Sequence, residues 1–243
     1  MTDIGTLGGE TYVTLVSFDG DVVAGYSTAT DDYGHAIRWT DGEITDLGTL
    51  GGDYSEATAM SRDGDVIVGS YYKDSSDHAF RWVVGSDGST GTMSDLGSLG
   101  GSDSSTVAVD VSADGSVVVG YSADTDSVRH GFRWTDDDDG MISVDQWLRD
   151  NGVTLTEDMT RNATMVSSDG NTVMGQATNG YTYIARVSDD STGIITLPEY
   201  LASVSSAGSI VTAQPMGSAN TIMFGAQGSP MRNLLSAGGK SVY

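Results

Sequence analysis

A chain of 243 residues is long enough for one large domain with a core of its own. Its 34 Asp+Glu against 11 Lys+Arg give a net charge of −23, which repels phosphate backbones and anionic lipid and argues against nucleic acid as a partner. There is no Cys, which suits a secreted bacterial protein that crosses the periplasm unfolded, and the 33 Gly point to many tight turns. No apolar run approaches the ~20 residues needed to span a bilayer, and no signal-peptide pattern is visible.

The chain opens on Asp3-Ile4-Gly5-Thr6-Leu7-Gly8-Gly9, which reads as the closing strand and turn of a repeating unit. The chain therefore begins inside a repeat and reads as a fragment of a longer protein. Four full units follow, at about 10–52, 53–101, 102–147 and 151–197. Each starts with a strand that ends in Ser-x-Asp-Gly, with turn pairs Asp19-Gly20, Asp63-Gly64, Asp114-Gly115 and Asp169-Gly170. Asp-Gly between two apolar runs is a strong hairpin signal. A β-branched run ending in Gly comes next, such as Val66-Ile67-Val68-Gly69. The third strand carries His35-Ala36-Ile37-Arg38-Trp39, His78-Ala79-Phe80-Arg81-Trp82 and His130-Gly131-Phe132-Arg133-Trp134. Its degraded fourth copy is Tyr183-Ile184-Ala185-Arg186-Val187. The first two units close on Asp46-Leu47-Gly48-Thr49-Leu50-Gly51-Gly52 and Asp95-Leu96-Gly97-Ser98-Leu99-Gly100-Gly101.

Four short strands per unit, without a helical period of similar length, predict an all-β repeat protein: a small β-propeller of four-stranded blades. An open β-solenoid or a sandwich-like stack is the alternative. Residues 1–197 form the repeat domain. Residues 198–243 hold closing strands, with Ser209–Thr212 and Thr221–Gly225 expected to pair with the N-terminal strand as a fifth blade. Trp147-Leu148-Arg149 and Tyr200-Leu201 are expected to be single helical turns, and Met231 to Val242 is helix-compatible. Alternation puts His35, Ile37 and Trp39 on one face and Ala36 and Arg38 on the other. A buried guanidinium needs a partner, so each repeated Arg is expected to pair with Asp19, Asp63, Asp114 or Asp169, or with Asp46 or Asp95.

This set of motifs, with His78-Ala79-Phe80 as the intact triplet, resembles the bacterial extracellular HAF repeat family over roughly residues 1–187. The fourth unit departs from the triplet at every position. Ile142–Leu148 looks like the start of the last unit in such proteins. Ser229-Pro230-Met231-Arg232-Asn233-Leu234-Leu235 resembles the junction that precedes an autotransporter's outer-membrane β-barrel. Together these imply an autotransporter passenger on the bacterial surface, attached to the outer membrane through a barrel beyond Tyr243. The Ser-x-Asp-Gly turns are similar to sialidase Asp boxes but lack the aromatic residue that completes them, so they read as turn chemistry.

Residues copied into every unit serve the unit's packing, so His35, His78 and His130 read as structural and bonded to backbone, not as zinc ligands. Arg38, Arg81, Arg133, Arg186, Trp39, Trp82 and Trp134 read the same way. Asp124, Asp126, Asp136 and Asp138 are weak Ca²⁺ candidates, and no other cofactor is expected. There is no Gly-x-Ser-x-Gly elbow and no singular Ser/His/Asp set, so the expectation is a non-enzyme. Tyr54, Tyr71, Tyr72, Tyr121 and Tyr181 fall near strand ends, where a propeller presents ligands. The expected function is adhesion: binding a host or bacterial protein or glycan, or self-association. An extracellular hydrolase using the propeller channel and a spacer that aids secretion are the alternatives.

Overall fold

The architecture follows from one hairpin made four times. In each Ser-x-Asp-Gly turn the Ser hydroxyl accepts the N–H of the residue opening the next strand and donates to the Asp carboxylate. The Val22, Val66, Val117 and Thr172 amides donate to Ser17, Ser61, Ser112 and Ser167 at 2.9–3.0 Å. Ser17, Ser61 and Ser112 donate to Asp19, Asp63 and Asp114 at 2.6 Å, and Ser167 donates to Asp169. The Asp then accepts the amide two residues on. Gly20, Gly64, Gly115 and Gly170 take φ of +74° to +86°, where Gly has no steric penalty.

The computed structural model describes residues 3–102, 104–136, 140–155, 157–187 and, in backbone, 221–225. The first blade is β1 (Thr11–Val16), β2 (Val22–Thr28), β3 (Gly34–Thr40) and β4 (Glu43–Gly48). The second is β5 (Tyr54–Met60), β6 (Val66–Lys73), β7 (Ser76–Val84) and β8 (Gly91–Asp95). The third is β9 (Thr106–Val111), β10 (Val117–Ala123), β11 (Arg129–Thr135) and β12 (Met141–Ser143). The fourth is β13 (Thr160–Val166), β14 (Thr172–Ala177), β15 (Thr182–Arg186) and β16 (Thr221–Gly225). Each is a four-stranded antiparallel meander in chain order.

First and second strands share a β-bulge in every blade, at Val13/Leu15, Ala57/Ala59, Ala108/Asp110 and Ala163/Met165. The bulge pushes a carbonyl toward the Gly that ends the β-branched run. A Cβ at Gly25, Gly69, Gly120 or Gly175 would lie 1.9–2.0 Å from the carbonyl oxygen of Tyr12, Glu56, Val107 or Asn162. That is why all four runs end in Gly.

Blades pack side by side through three apolar cores. Ala24, Ala36 and Leu47 meet Ile67, Phe80 and Trp82 between the first two blades. Val68, Ala79 and Leu96 meet Val118 and Phe132 between the second and third. Val117 and Val119 meet Ala163, Val173 and Tyr183 between the third and fourth. First strands adjoin in succession, β1 to β5, β5 to β9 and β9 to β13. Equivalent positions of all four blades, Val16/Met60/Val111/Val166 and Phe18/Arg62/Ala113/Ser168, line one cavity of about 340 Å³. Convergence on an axis makes this a small propeller and excludes the stacked alternative.

Two expectations are corrected, and the helical turn at Trp147–Arg149 is found. Asp3–Gly9 forms no strand; it runs as a loop whose Gly9 amide donates to the Thr28 carbonyl. Thr221–Gly225 pairs with β15, not with the N-terminus, in the register Thr182↔Gly225 and Ile184↔Met223. The fourth blade therefore takes its outer strand from beyond the 151–197 unit. That unit has no Asp-Leu-Gly segment of its own, and an unpaired β15 edge needs covering. Trp147–Arg149 lies in α1 (Val144–Asp150), capped by Ser143, whose hydroxyl accepts the Gln146 amide. Ser209–Thr212, Tyr200-Leu201, Ser229–Leu235 and Met231 to Val242 lie outside the described residues.

Candidate functional site

The third-strand residues build a joint between blades. Arg38 Nε donates to the Gly64 carbonyl at 3.1 Å, and its guanidinium lies 5.8 Å from the Trp82 ring centroid. Arg81 Nε donates to the Gly115 carbonyl at 3.1 Å and lies 5.4 Å from Trp134. Arg133 lies 5.1 Å from Trp147. The main partner is thus the next blade's turn carbonyl and Trp, not the expected carboxylates at Asp19, Asp63, Asp114, Asp169, Asp46 or Asp95. Ion pairs to Asp65 at 3.9 Å and to Asp136 at 3.2 Å are additions from exposed carboxylates. A carbonyl satisfies a buried guanidinium without desolvating a second charge. Trp147, on α1, fills the ring position that Val187 leaves vacant in the fourth blade.

A backbone chain completes the joint at the cavity rim. The Phe18 amide donates to Arg62 O, Arg62 to Ala113 O and Ala113 to Ser168 O, at 2.9, 3.0 and 3.2 Å. Sequence reading missed this, because main-chain bonds between units carry no side-chain signature.

The histidines divide. His35 Nδ1 lies 2.9 Å from Asp46 and Nε2 lies 3.2 Å from Asp31. His130 Nε2 lies 2.9 Å from Asp124. His78 alone reaches a backbone group, Lys73 O at 3.3 Å, with its ring stacked 5.1 Å from Tyr71. Two of the three therefore take carboxylate partners, where backbone partners were expected. Burial pulls the His35 pKa down, but Asp46 and Asp31 together outweigh it and raise the pKa above 6.5. Asp124 accepts the Asp126 and Val128 amides on its other oxygen, and Asp136 holds Arg81. Asp138 lies outside the described residues. Among the described residues no three His, Asp or Glu side chains converge as metal ligands.

The tyrosines separate into buried and presented groups. Tyr71 is buried and donates to Asp95 at 2.5 Å; burial, then Asp95, pushes its pKa up. It is not ligand-facing. Tyr121 is half-buried with the Arg129 guanidinium 3.2 Å from its ring centroid, and Tyr181 packs against the third apolar core. Tyr54 and Tyr72 face each other across β5–β6. They extend a row that sequence reading did not assemble. Tyr12 stacks on its cross-strand partner Tyr26 at 5.0 Å, and Tyr26 meets Tyr54 edge-on at 6.2 Å. Tyr12 is 48% exposed and Tyr72 is 40% exposed. Gly34 makes room for the row, since a Cβ there would lie 2.6 Å from the Tyr54 ring. Carboxylates flank it: Tyr12 donates to Glu10 at 2.6 Å, and Tyr54 donates to Glu56 at 2.5 Å. The bond to Glu10 raises the Tyr12 pKa, and burial, then Glu56, raises that of Tyr54. The rings are therefore neutral phenols with carboxylate acceptors beside them. The signal was present at Tyr12 and Tyr26, but only the inter-blade contact joins them to Tyr54.

No family model and no curated protein matches the chain. Among solved structures, a protein assigned as TolB from Agrobacterium tumefaciens superposes with a TM-score of 0.47 at 13% identity, over 75% of this chain and 65% of that one. TolB from Acinetobacter baumannii gives 0.42 at 11% identity, over 87% of this chain and 53% of that one. The chain thus spans under two thirds of the length of either structure, and both likenesses are too distant to carry a function.

Proposed function

We propose that the chain is a surface-displayed binding module, in the passenger of an autotransporter, that takes a glycan along the row Tyr12–Tyr26–Tyr54–Tyr72. The row itself carries the reading: tyrosine rings from two blades adjoin, one pair stacked and one edge-on, with carboxylates at hydroxyl distance. An aromatic face suits the apolar face of a sugar ring, and a carboxylate accepts sugar hydroxyls. The net charge of −23 selects against polyanionic glycans and favours neutral or amino sugars. The motifs that resemble HAF repeats and the autotransporter-like junction at Ser229–Leu235 support display outside a Gram-negative cell.

A glycan array read with the native chain and with Tyr54→Ala tests the reading. The native chain is expected to bind a set of neutral or amino-sugar glycans, and Tyr54→Ala to weaken that binding by about 30-fold, as for a central aromatic anchor. An array blank for the native chain, or unchanged by Tyr54→Ala, would contradict it. Antibody labelling of intact cells carrying the full-length protein tests the display; labelling only after lysis would remove it.

A further inference from the structure

Side chains copied into every blade build the blade-to-blade joint, so a pair that breaks the repeat has another use. The carbonyls of Tyr12, Glu56, Val107 and Asn162 hold one position in the four blades, each facing the Gly that ends the β-branched run. Two residues earlier stand Glu10, Tyr54, Ser105 and Thr160. The first two blades therefore carry one Tyr and one Glu at these two positions, in opposite order, and the last two carry neither. The packing of the repeat does not require the pair, since the third and fourth blades form without it.

In both orders the pair closes on itself. Tyr12 donates to Glu10 at 2.6 Å, and Tyr54 donates to Glu56 at 2.5 Å. Glu10 extends the first strand's ladder, its carbonyl accepting the Thr28 amide at 2.8 Å. Residues two apart in an extended chain share a face, so each carboxylate stands beside its own ring. Each bond engages one carboxylate oxygen, Oε2, and a neutral phenol fixes the group without cancelling its charge. Cross-strand neighbours complete the surface. Tyr12 is opposite Tyr26 and stacked on it at 5.0 Å, Tyr54 is opposite Tyr72, and the exposed Asp77 is opposite Tyr72 on its other side.

This chemistry discriminates among sugars. A ring face attracts a cation through its quadrupole, and a charged acceptor holds a hydrogen bond about twice as strongly as a neutral one. Hydroxyl or amide acceptors would serve a neutral sugar as well. Carboxylates fixed beside aromatic rings match a sugar that carries positive charge, and the net charge of −23 draws such a ligand in. We propose, resting on the glycan reading above, that the row selects sugars with a free amino group. The protonated amine sits between a tyrosine ring and Glu10 or Glu56, while the apolar sugar face packs on the row. N-acetylation removes the charge, so the acetylated form of the same glycan is disfavoured.

Calorimetric titration of the native chain with two oligomers of equal length, one of glucosamine and one of N-acetylglucosamine, tests the inference at a pH where the amine is protonated. The glucosamine oligomer is expected to bind about 30-fold more tightly, a preference that narrows as salt is added. Glu56→Gln keeps an amide oxygen for the Tyr54 hydroxyl, so the ring stays in place while the charge is lost. It is expected to cut the preference by about 10-fold and to leave binding of the acetylated oligomer nearly unchanged. Equal binding of the two oligomers overturns the inference and leaves the glycan reading standing. Binding of neither overturns it as well, and the glycan array then judges the wider reading separately. A lysine oligomer of equal charge that binds as tightly as the glucosamine oligomer also overturns it, because charge without a sugar would suffice.

Discussion

At Gly69 and Gly120 a carbonyl oxygen sits 1.9–2.0 Å from where a Cβ would go, and each Gly also abuts an aromatic ring, Phe80 or Phe132, at 2.8 Å. Neither backbone nor buried ring can yield easily. Gly69→Ala and Gly120→Ala are each expected to cost about 3 kcal/mol or more in denaturant unfolding. Gly20→Ala, at φ +86° in open space, costs about 1 kcal/mol from its left-handed backbone alone. The Ser–Asp turns set an acid limit. Ser hydrogen bonds, with help from the backbone amides, hold Asp19, Asp114 and Asp169 below 3.8, and Asp63 is lowered despite its burial. Stability from depressed carboxyls is present above 3.8 and is lost as pH falls through their folded values. His35 works the other way: its raised pKa gives stability that is full below 6.5 and lost as pH rises through the folded value. Burial raises Asp110 and Asp145, so their contribution also falls as pH rises through their folded values. Melting temperature should therefore peak between 3.8 and 6.5, and His35→Gln should flatten its decline toward alkaline pH. A maximum above neutral pH would contradict this.

Among elements, the joint ranks above the ion pairs. Arg81 is largely buried, between the Gly115 carbonyl and the Trp134 ring, while its partner Asp136 is exposed. Arg81→Met should destabilise by about 2 kcal/mol, because it leaves a buried carbonyl unpaired. A double-mutant cycle with Trp134→Leu should return a coupling of about 0.5–1 kcal/mol, and Asp136→Asn should change little. A larger effect from Asp136→Asn would restore the carboxylate pairing. The elements themselves were legible in sequence: four Asp-Gly turns between β-branched runs could hardly be anything but hairpins. The Arg acceptors were not, because a main-chain carbonyl has no residue identity. Trp147 was also hidden, since it replaces a strand Trp from a helix. The outer strand of the fourth blade lies some thirty-five residues beyond β15, a separation that periodicity does not reach.

For the whole molecule, one surface and one axis matter. The tyrosine row was half-legible: Tyr54 and Tyr72 stand at strand ends, but Tyr71, adjacent in sequence, alternates inward to Asp95. Tyr71→Phe should therefore leave ligand binding unchanged and cost about 1 kcal/mol of stability from the lost bond. The axis is held by the amide chain from Phe18 through Arg62 and Ala113 to Ser168. Amide hydrogen exchange at Phe18, Arg62 and Ala113 tests the central claim most directly, since turn amides at a surface otherwise exchange quickly. The joint between blades predicts slow exchange at Phe18, Arg62 and Ala113. Fast exchange at all three would mean that the blades are not joined through their turns.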